Sequence, residues 1–168
     1  MTIADPIGVA TQHVETARQM KEAVEAALPA DAAIFVAAVA DWRPETENGE
    51  KIKKRAGAGA PALCMVENPD ILAGIGHHPN RPKLVVGFAA ETEKLIEHAS
   101  AKLDRKGADF IVANDVSMAG ATSAGAVMGG TRNRVTIVSR DGTDEWPEMS
   151  KTEVATRLAA LIADRLAD

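Results

Sequence analysis

Apolar residues occur along this chain in two patterns, continuous runs and runs with helical spacing. Continuous runs at 32–40, 84–89, 110–113 and 135–138 are typical of strands covered on both faces of a sheet. Shorter apolar segments at 7–14 and 62–66 predict two further strands. Helical spacing predicts helices over about 16–28, 93–106 and 150–166. The pattern therefore alternates strands with helices along most of the chain.

Polar residues at the ends of these segments predict where the helices begin and end. Thr16 with Gln19, and Ser150 with Glu153, have the spacing of a capping box. The segment Asn68-Pro69-Asp70 predicts another helix start at 68–70, with Asn at the cap, Pro at the first helical position and an acid in the first turn. Gly107 indicates a helix C-terminus.

This alternation predicts an α/β fold, Rossmann-like, with a mostly parallel sheet, helices on both faces and right-handed crossovers. The chain is predicted to form one domain over residues 1–168. Within it, residues 42–61 are polar and rich in Gly and Lys, and they predict a long flexible arm. In such folds ligands bind beyond the carboxyl ends of the strands. That rule selects Asp41, the segment 89–91 and Asn114 as candidate ligand positions.

Composition narrows the functional classes. Apolar residues make up 46% of the 168 positions and charged residues 26%, so a packed core is expected. The net charge of −5 argues against a general nucleic-acid binder. The longest apolar run is far shorter than the roughly 20 residues of a membrane span, and the N-terminus lacks the pattern of a signal peptide. With a single Cys64, expected as an inert core thiol, the chain is predicted to be a soluble cytoplasmic protein.

Several motifs have both a structural and a functional interpretation. The lysines at 51–54 fit a solvated loop or an arm that closes over phosphates. Lys102 and Lys106, four residues apart, fit either favourable charges at a helix C-terminus or a polyanion site. Phe88 fits core packing or stacking on a base. The glycines at 120–130 match neither the dinucleotide fingerprint nor the P-loop, which disfavours a nicotinamide enzyme or a P-loop kinase.

Taken in order, these blocks resemble the bacterial phosphopantothenate–cysteine ligase family. The resemblance is carried by AAVADWRP at 37–44, KIKK at 51–54, NPDIL at 68–72, VGFAAET at 86–92, Lys102 with Lys106, and ANDVS at 113–117. It extends over nearly the whole chain. In many bacteria this ligase forms the C-terminal half of a bifunctional coenzyme A biosynthesis protein.

The resemblance implies a reaction in two steps. The carboxylate of 4′-phosphopantothenate attacks the α-phosphate of CTP, and the resulting acyl-cytidylate is then attacked by the amine of cysteine. Magnesium would accompany the nucleotide. The family is dimeric, so a homodimer is expected, with neither nucleic acid nor membrane as a partner.

The resemblance also implies roles for individual residues. Lys51 would reach the triphosphate and is the catalytic candidate, and Lys102 and Lys106 would hold phosphates or the cytidine. Phe88 and the turn at 69–72 would form the cytidine pocket, and Asp41 would meet the nucleotide, its ribose or its metal. Asn114 would lie toward the other substrate. The full set of candidate binding residues is Asp41, Lys51, Pro69, Asp70, Ile71, Leu72, Phe88, Lys102, Lys106 and Asn114.

One part of the family pattern has no counterpart in this chain. The family ligase begins with a strand and a Gly-rich loop carrying an Asn for the acyl-nucleotide step, so we expect an N-terminally truncated ligase with reduced activity. FMN would belong to a decarboxylase half that this chain also lacks. Two alternatives stay open: a non-catalytic dimerisation module of the same protein, and, with less support, an NAD-dependent oxidoreductase.

Overall fold

The structure is a computed structural model, and it describes residues 4–46, 62–91, 95–115 and 131–167. Where the sequence predicts one domain, the contacts divide the chain into two compact units. Unit 1 comprises Met1–Ala26 and Ala38–Asp70, and unit 2 comprises Ala27–Ala37 and Ile71–Asp168. In chain order the elements are α1 (Ala17–Ala26), β1 (Ala32–Phe35), β2 (Trp42–Pro44), β3 (Met65–Glu67), α2 (Ile71–Gly76), β4 (Leu84–Glu91), α3 (Leu95–Lys106), β5 (Phe110–Asp115), β6 (Arg132–Asn133), β7 (Val135–Ser139), β8 (Gly142–Glu145), β9 (Met149–Ser150) and α4 (Lys151–Ala167).

Unit 2 is built on a five-stranded sheet with the order β1-β4-β5-β7-β8. The first three strands are parallel, whereas β7 is antiparallel to both β5 and β8. Four of the five strands therefore run in the same direction, and the α/β prediction is confirmed for a mixed, mainly parallel sheet. β7 and β8 form a hairpin at Gly142, whose φ of +136° disfavours other residues, and this hairpin returns β8 to the common direction.

The two faces of the sheet carry different helices. On one face, Leu84 and Val86 of β4 belong to a core cluster with Val154 and Leu158 of α4. On the other face α2 approaches β4 closely, because a Cβ built on Gly87 would lie 2.6 Å from Leu72 Cδ2. The side chains of a strand alternate between faces, so one strand serves both layers.

The two edges of this sheet differ in character. The apolar run 32–40 predicts a strand covered on both faces, but β1 spans only Ala32–Phe35 and lies at an edge. Ile34 is 48% exposed and Val36 is 61% exposed, so that prediction is wrong in both length and burial. At the opposite edge, β8 is exposed and acidic, with Asp144 and Glu145.

Unit 1 contains the amphipathic helix α1 and a two-stranded antiparallel ribbon of β2 and β3. The capping box at α1 is confirmed, because the backbone N–H of Thr16 donates to Gln19 Oε1 (3.1 Å) and that of Gln19 donates to Thr16 Oγ1 (3.2 Å). Residues 7–14 form no strand, contrary to the prediction. Cys64 is exposed rather than a core thiol, because it precedes β3 in this ribbon.

In the part of the chain that the structure describes, no helix is both long enough and apolar enough to cross a membrane.

The N-terminus of α4 carries the second capping box. The backbone N–H of Ser150 donates to Glu153 Oε2 (2.7 Å), and the N–H of Glu153 donates to Ser150 Oγ (3.2 Å). These hydrogen bonds with Ser150, the backbone one first, lower the pKa of Glu153, and the positive charge of Arg132 adds a smaller effect. The capping box predicted from sequence is confirmed.

The Glu153 cap should make stability depend on pH in the acid range. Because its pKa is lowered in the folded chain, the carboxylate stabilises the fold above the unfolded pKa, and this stability is lost as pH falls through the folded pKa. Glu153→Gln should therefore melt at a lower temperature than wild type at pH 7, and the gap should close below about pH 4. Thermal melts across this range test it, with Glu145→Gln on exposed β8 as control. An equal gap at pH 7 and pH 3 would contradict the assignment.

Two glycines of α2 should respond oppositely to the same substitution. A Cβ on Gly76 would lie 1.9 Å from the Lys106 carbonyl oxygen, whereas a Cβ on Gly74 has no atom within 4 Å. Gly76→Ala should destabilise the fold by about 2 kcal/mol or more, since backbone must move. Gly74→Ala should be neutral or stabilising by up to about 1 kcal/mol, because alanine favours helix. Urea unfolding measures both, and equal effects would refute the close approach of α2 to α3.

Candidate functional site

The contact of α3 with β4 forms the centre of the candidate site in unit 2. The Nζ of Lys102 donates to the carbonyl oxygen of Phe88 at 2.7 Å. Since α3 connects parallel strands β4 and β5, it runs antiparallel to both, and its half-buried Lys102 reaches the backbone of β4 at Phe88. The structure therefore brings together two of the residues that the sequence selected.

Lys106 lies one turn further along α3, in its last turn beside Arg105. Its side chain is half-buried. The helix dipole favours cations in this position, so favourable charge at a helix C-terminus stays a valid interpretation of Lys106. The alternative interpretation, a polyanion site formed by both lysines, requires them to lie on one face of the helix. Their four-residue spacing on the continuous α3 provides this.

The candidate residues Ile71 and Leu72 open α2 and are buried. Leu72 packs at Gly87, where a side chain on β4 would collide with it. The absence of a side chain at Gly87 therefore lets α2 lie directly on the strand that carries Phe88.

Phe88 is held on the opposite face of β4 from Leu72. Its ring packs against the cluster that includes Leu84 and Val86, which have the same strand parity. The part of Phe88 that Lys102 contacts is its backbone carbonyl, not its ring. The described packing supports the core interpretation of the ring, and leaves its stacking on a base as a prediction.

Asn114 lies near the carboxyl end of β5 and is half-buried. Its Oδ1 accepts a hydrogen bond from Asn133 Nδ2 at 3.1 Å, which ties β5 to β6. The sequence did not select Asn133, because no spacing connects the two asparagines.

In unit 1, Asn68 organises the segment around Asp41. The N–H of Asn68 donates to the Asp41 carbonyl (2.7 Å), and its Nδ2 donates to the Ala40 carbonyl (2.8 Å). Arg43 also donates to Asn68 Oδ1 and to the Glu67 carbonyl. Because α2 begins only at Ile71, the prediction of Asn68 as its cap is wrong. The side chain connects two segments of unit 1 instead.

The remaining candidates are placed as follows. Asp41 and Asp70 are exposed, and Pro69 is half-buried, all in unit 1. Lys51, the rest of the arm beyond residue 46 and the glycines at 120–130 lie outside the described residues.

Metal-ligating side chains do not cluster in the described ranges. No group of three or more His, Cys, Asp or Glu residues there could hold an ion.

Comparisons with known proteins agree with the fold and with the family that the sequence resembles. Residues 1–166 match the family model described as the DFP, DNA/pantothenate metabolism flavoprotein C-terminal domain. A coenzyme A biosynthesis bifunctional protein CoaBC of Borreliella burgdorferi is 36% identical over 160 residues, covering 94% of this chain and 38% of that protein. The corresponding protein of Mycolicibacterium smegmatis is 40% identical over 174 residues, covering 96% and 40%.

A solved structure gives the same result. The crystal structure of the C-terminal domain of a coenzyme A biosynthesis bifunctional protein CoaBC superposes with a TM-score of 0.75 at 32% identity, covering 99% of this chain and 70% of that one. The chain spans about two fifths of the length of the curated relatives it matches. The resemblance found in the sequence is thereby confirmed, and the chain belongs to the DFP C-terminal domain family, the phosphopantothenate–cysteine ligase part of the CoaBC proteins.

Proposed function

We propose that this chain binds CTP as part of a phosphopantothenate–cysteine ligase. The observation that carries the proposal is the Lys102–Phe88 contact, which positions an ammonium group at the strand bearing the family motif at 86–92. Membership of the ligase family supplies the reaction.

The proposed reaction converts a carboxylate into an amide. A carboxylate oxygen of 4′-phosphopantothenate forms a bond to the α-phosphorus of CTP, and the bond to pyrophosphate breaks. The amine of cysteine then attacks the acyl carbon of the mixed anhydride, CMP leaves with the bonding electrons, and the amine loses a proton. Activation is needed because a free carboxylate resists nucleophilic attack.

In this proposal the protein acts mainly by positioning and by neutralising charge. Lys102 and Lys106 hold the phosphates or the cytidine from α3, and their mutual repulsion falls when a polyanion lies between them. Lys51 is the proposed catalytic cation. Asp41, Pro69, Asp70, Ile71, Leu72 and Phe88 are proposed to contact the nucleotide, and Asn114 the phosphopantothenate side.

Mg²⁺ is proposed to enter with CTP rather than through a protein cage. The described residues offer no such cage, and Mg²⁺ typically combines phosphate oxygens with water and one or two carboxylates. Bound in this way it would supply further neutralisation of the triphosphate. FMN is proposed to have no role here.

Removal of the α3 lysines should weaken nucleotide binding. An ammonium–phosphate hydrogen bond contributes roughly 1.5–3 kcal/mol, so Lys102→Met or Lys106→Met should each raise the Kd for CTP about tenfold or more. Calorimetry with CTP and Mg²⁺ measures this. Lys83→Met is the matched control, because Lys83 is an exposed lysine just before β4.

Three results would contradict the proposal: unchanged affinity in both α3 variants, an equal loss in the Lys83 control, or tighter binding of NADH than of CTP. Pyrophosphate release on adding 4′-phosphopantothenate would support the first chemical step. CTP binding without such release would favour the non-catalytic module.

We also propose that the chain forms a homodimer through the β2–β3 ribbon of unit 1. The strand register places Trp42, Pro44, Met65 and Glu67 on one face of this ribbon, and Leu63 has the same parity, so this face is apolar except for Glu67. Trp42 is 59% exposed, and Leu63 and Met65 are also exposed. A mainly apolar face of this kind on a short ribbon is stabilised by burial against a partner.

Substitution on this face should shift the oligomeric state. The double variant Trp42→Ser with Met65→Ser should sediment as a monomer at concentrations where wild type is a dimer, because apolar contact area is lost. The control is Ile7→Ser, an exposed apolar residue of unit 1 outside the ribbon. A wild-type protein that stays monomeric, or a double variant that stays dimeric, would refute this interface.

A further inference from the structure

We propose that Arg81 is a positioning residue for the nucleotide site, because its guanidinium sets the position of α3 along β4 and thereby the reach of Lys102. The inference rests on the proposed function for its consequence in CTP binding. Its structural basis lies entirely within unit 2.

Each of the five N–H donors of the Arg81 guanidinium has an acceptor. Nε donates to the Gly76 carbonyl (3.0 Å), and one Nη2 hydrogen to the Gly107 carbonyl (3.0 Å), so one group holds the C-termini of α2 and α3. The other donors reach the carbonyls of Pro82 (3.0 Å) and Lys83 (3.4 Å) and Asp109 Oδ2 (2.6 Å). Arg81 is only partly buried, with 29% of its side chain exposed.

Asp109 connects this point to the sheet. Its Oδ2 also accepts from the N–H of Val85 (2.7 Å), and its own N–H donates to the Val85 carbonyl (2.8 Å). The start of β4 and the start of β5 are therefore held together where the guanidinium binds both helix ends. We call Arg81 and Asp109, with these contacts, the guanidinium clamp.

The clamp fixes the start of β4 and the end of α3, and the relative position of these two elements determines whether Lys102 reaches Phe88. Phe88 lies three residues after Val85 on β4, and Lys102 lies five residues before Gly107 at the end of α3. A helix shifted by a single residue moves about 1.5 Å along its axis, enough to break a 2.7 Å hydrogen bond unless the side chain rearranges.

The glycines beside the clamp bring the ends of α2 and α3 into direct contact. Gly76 lies so close to the Lys106 carbonyl that α2 and α3 must move together. Gly107, with φ +63°, faces the ring of His77, whose Nε2 lies 3.2 Å from the Arg105 carbonyl oxygen. Loss of the guanidinium would therefore shift the C-terminal ends of α2 and α3 together relative to the start of β4.

A double-mutant cycle separates positioning from simple stabilisation. Arg81→Met, Lys102→Met and the double variant are titrated with CTP and Mg²⁺ by calorimetry, well below their melting temperatures. Arg81→Met alone should weaken CTP binding about fivefold or more, and in the Lys102→Met background it should have less than about a twofold effect. Equal effects in both backgrounds, or none in either, would overturn the proposal.

The matched control is Arg165→Met. Arg165 also pairs with an aspartate, Asp141 (3.5 Å), and lies over the ring of Phe110 (5.1 Å), but it stands on α4. It should lower the melting temperature without changing CTP affinity. A loss of affinity equal to that of Arg81→Met would overturn the proposal, since general destabilisation would then explain both.

A second measurement needs no nucleotide. The acetylation rate of Lys102 with acetic anhydride, read by mass spectrometry, should rise about threefold or more in Arg81→Met relative to the rate at exposed Lys83, because its hydrogen bond to Phe88 is lost. An unchanged ratio would overturn the proposal even if CTP did not bind. If Arg81→Met fails to fold, Arg81→Lys and Asp109→Asn serve in the same two measurements, since each removes part of the clamp.

Discussion

One polar interaction in unit 2, at the end of the sheet where β4 and β5 begin, connects two strands and two helices. The ion pair of Arg81 with Asp109 joins two helix C-termini and two strand starts. Arg81 donates to the carbonyls of Gly76 and Gly107, which lie at helix ends where carbonyls lack an intrahelical partner. Partial burial makes this pair stronger than a fully exposed one. The unit 2 candidates Phe88, Lys102 and Asn114 lie on the elements that this contact joins, β4, α3 and β5.

The sequence predicted those features whose cause is local. Both capping boxes, at Thr16 and Ser150, formed as expected because their partners are three residues away on the same turn. The strands β4, β5 and β7 followed from continuous apolar runs. The position of Lys102 and Lys106 one turn apart on α3 required only helical periodicity. Family resemblance added the order of the motifs, which no local pattern provides.

The features that the sequence missed have distant partners. Arg81 and Asp109 are separated by 28 residues, and neither belongs to a recognisable motif. Asn68 looked like a cap because its neighbours were those of a helix start, but its amide binds the Ala40 carbonyl across the ribbon. Cys64 shows that an apolar segment does not imply burial on both faces of a two-stranded ribbon. Hydrophobic periodicity indicates which residues share a face of a helix or strand, but it does not indicate whether another element covers that face.

The contrast between the two sheet edges affects how this protein behaves at high concentration. The acidic side chains on β8 repel a second strand, whereas β1 presents backbone donors and acceptors beside an exposed Ile34 and carries no charge. Of these two edges in the described part of the sheet, β1 is therefore the one that favours unwanted strand addition. A lysine at position 34 would give β1 a charge like those that β8 already has, at a position that pairs with Val86 of β4.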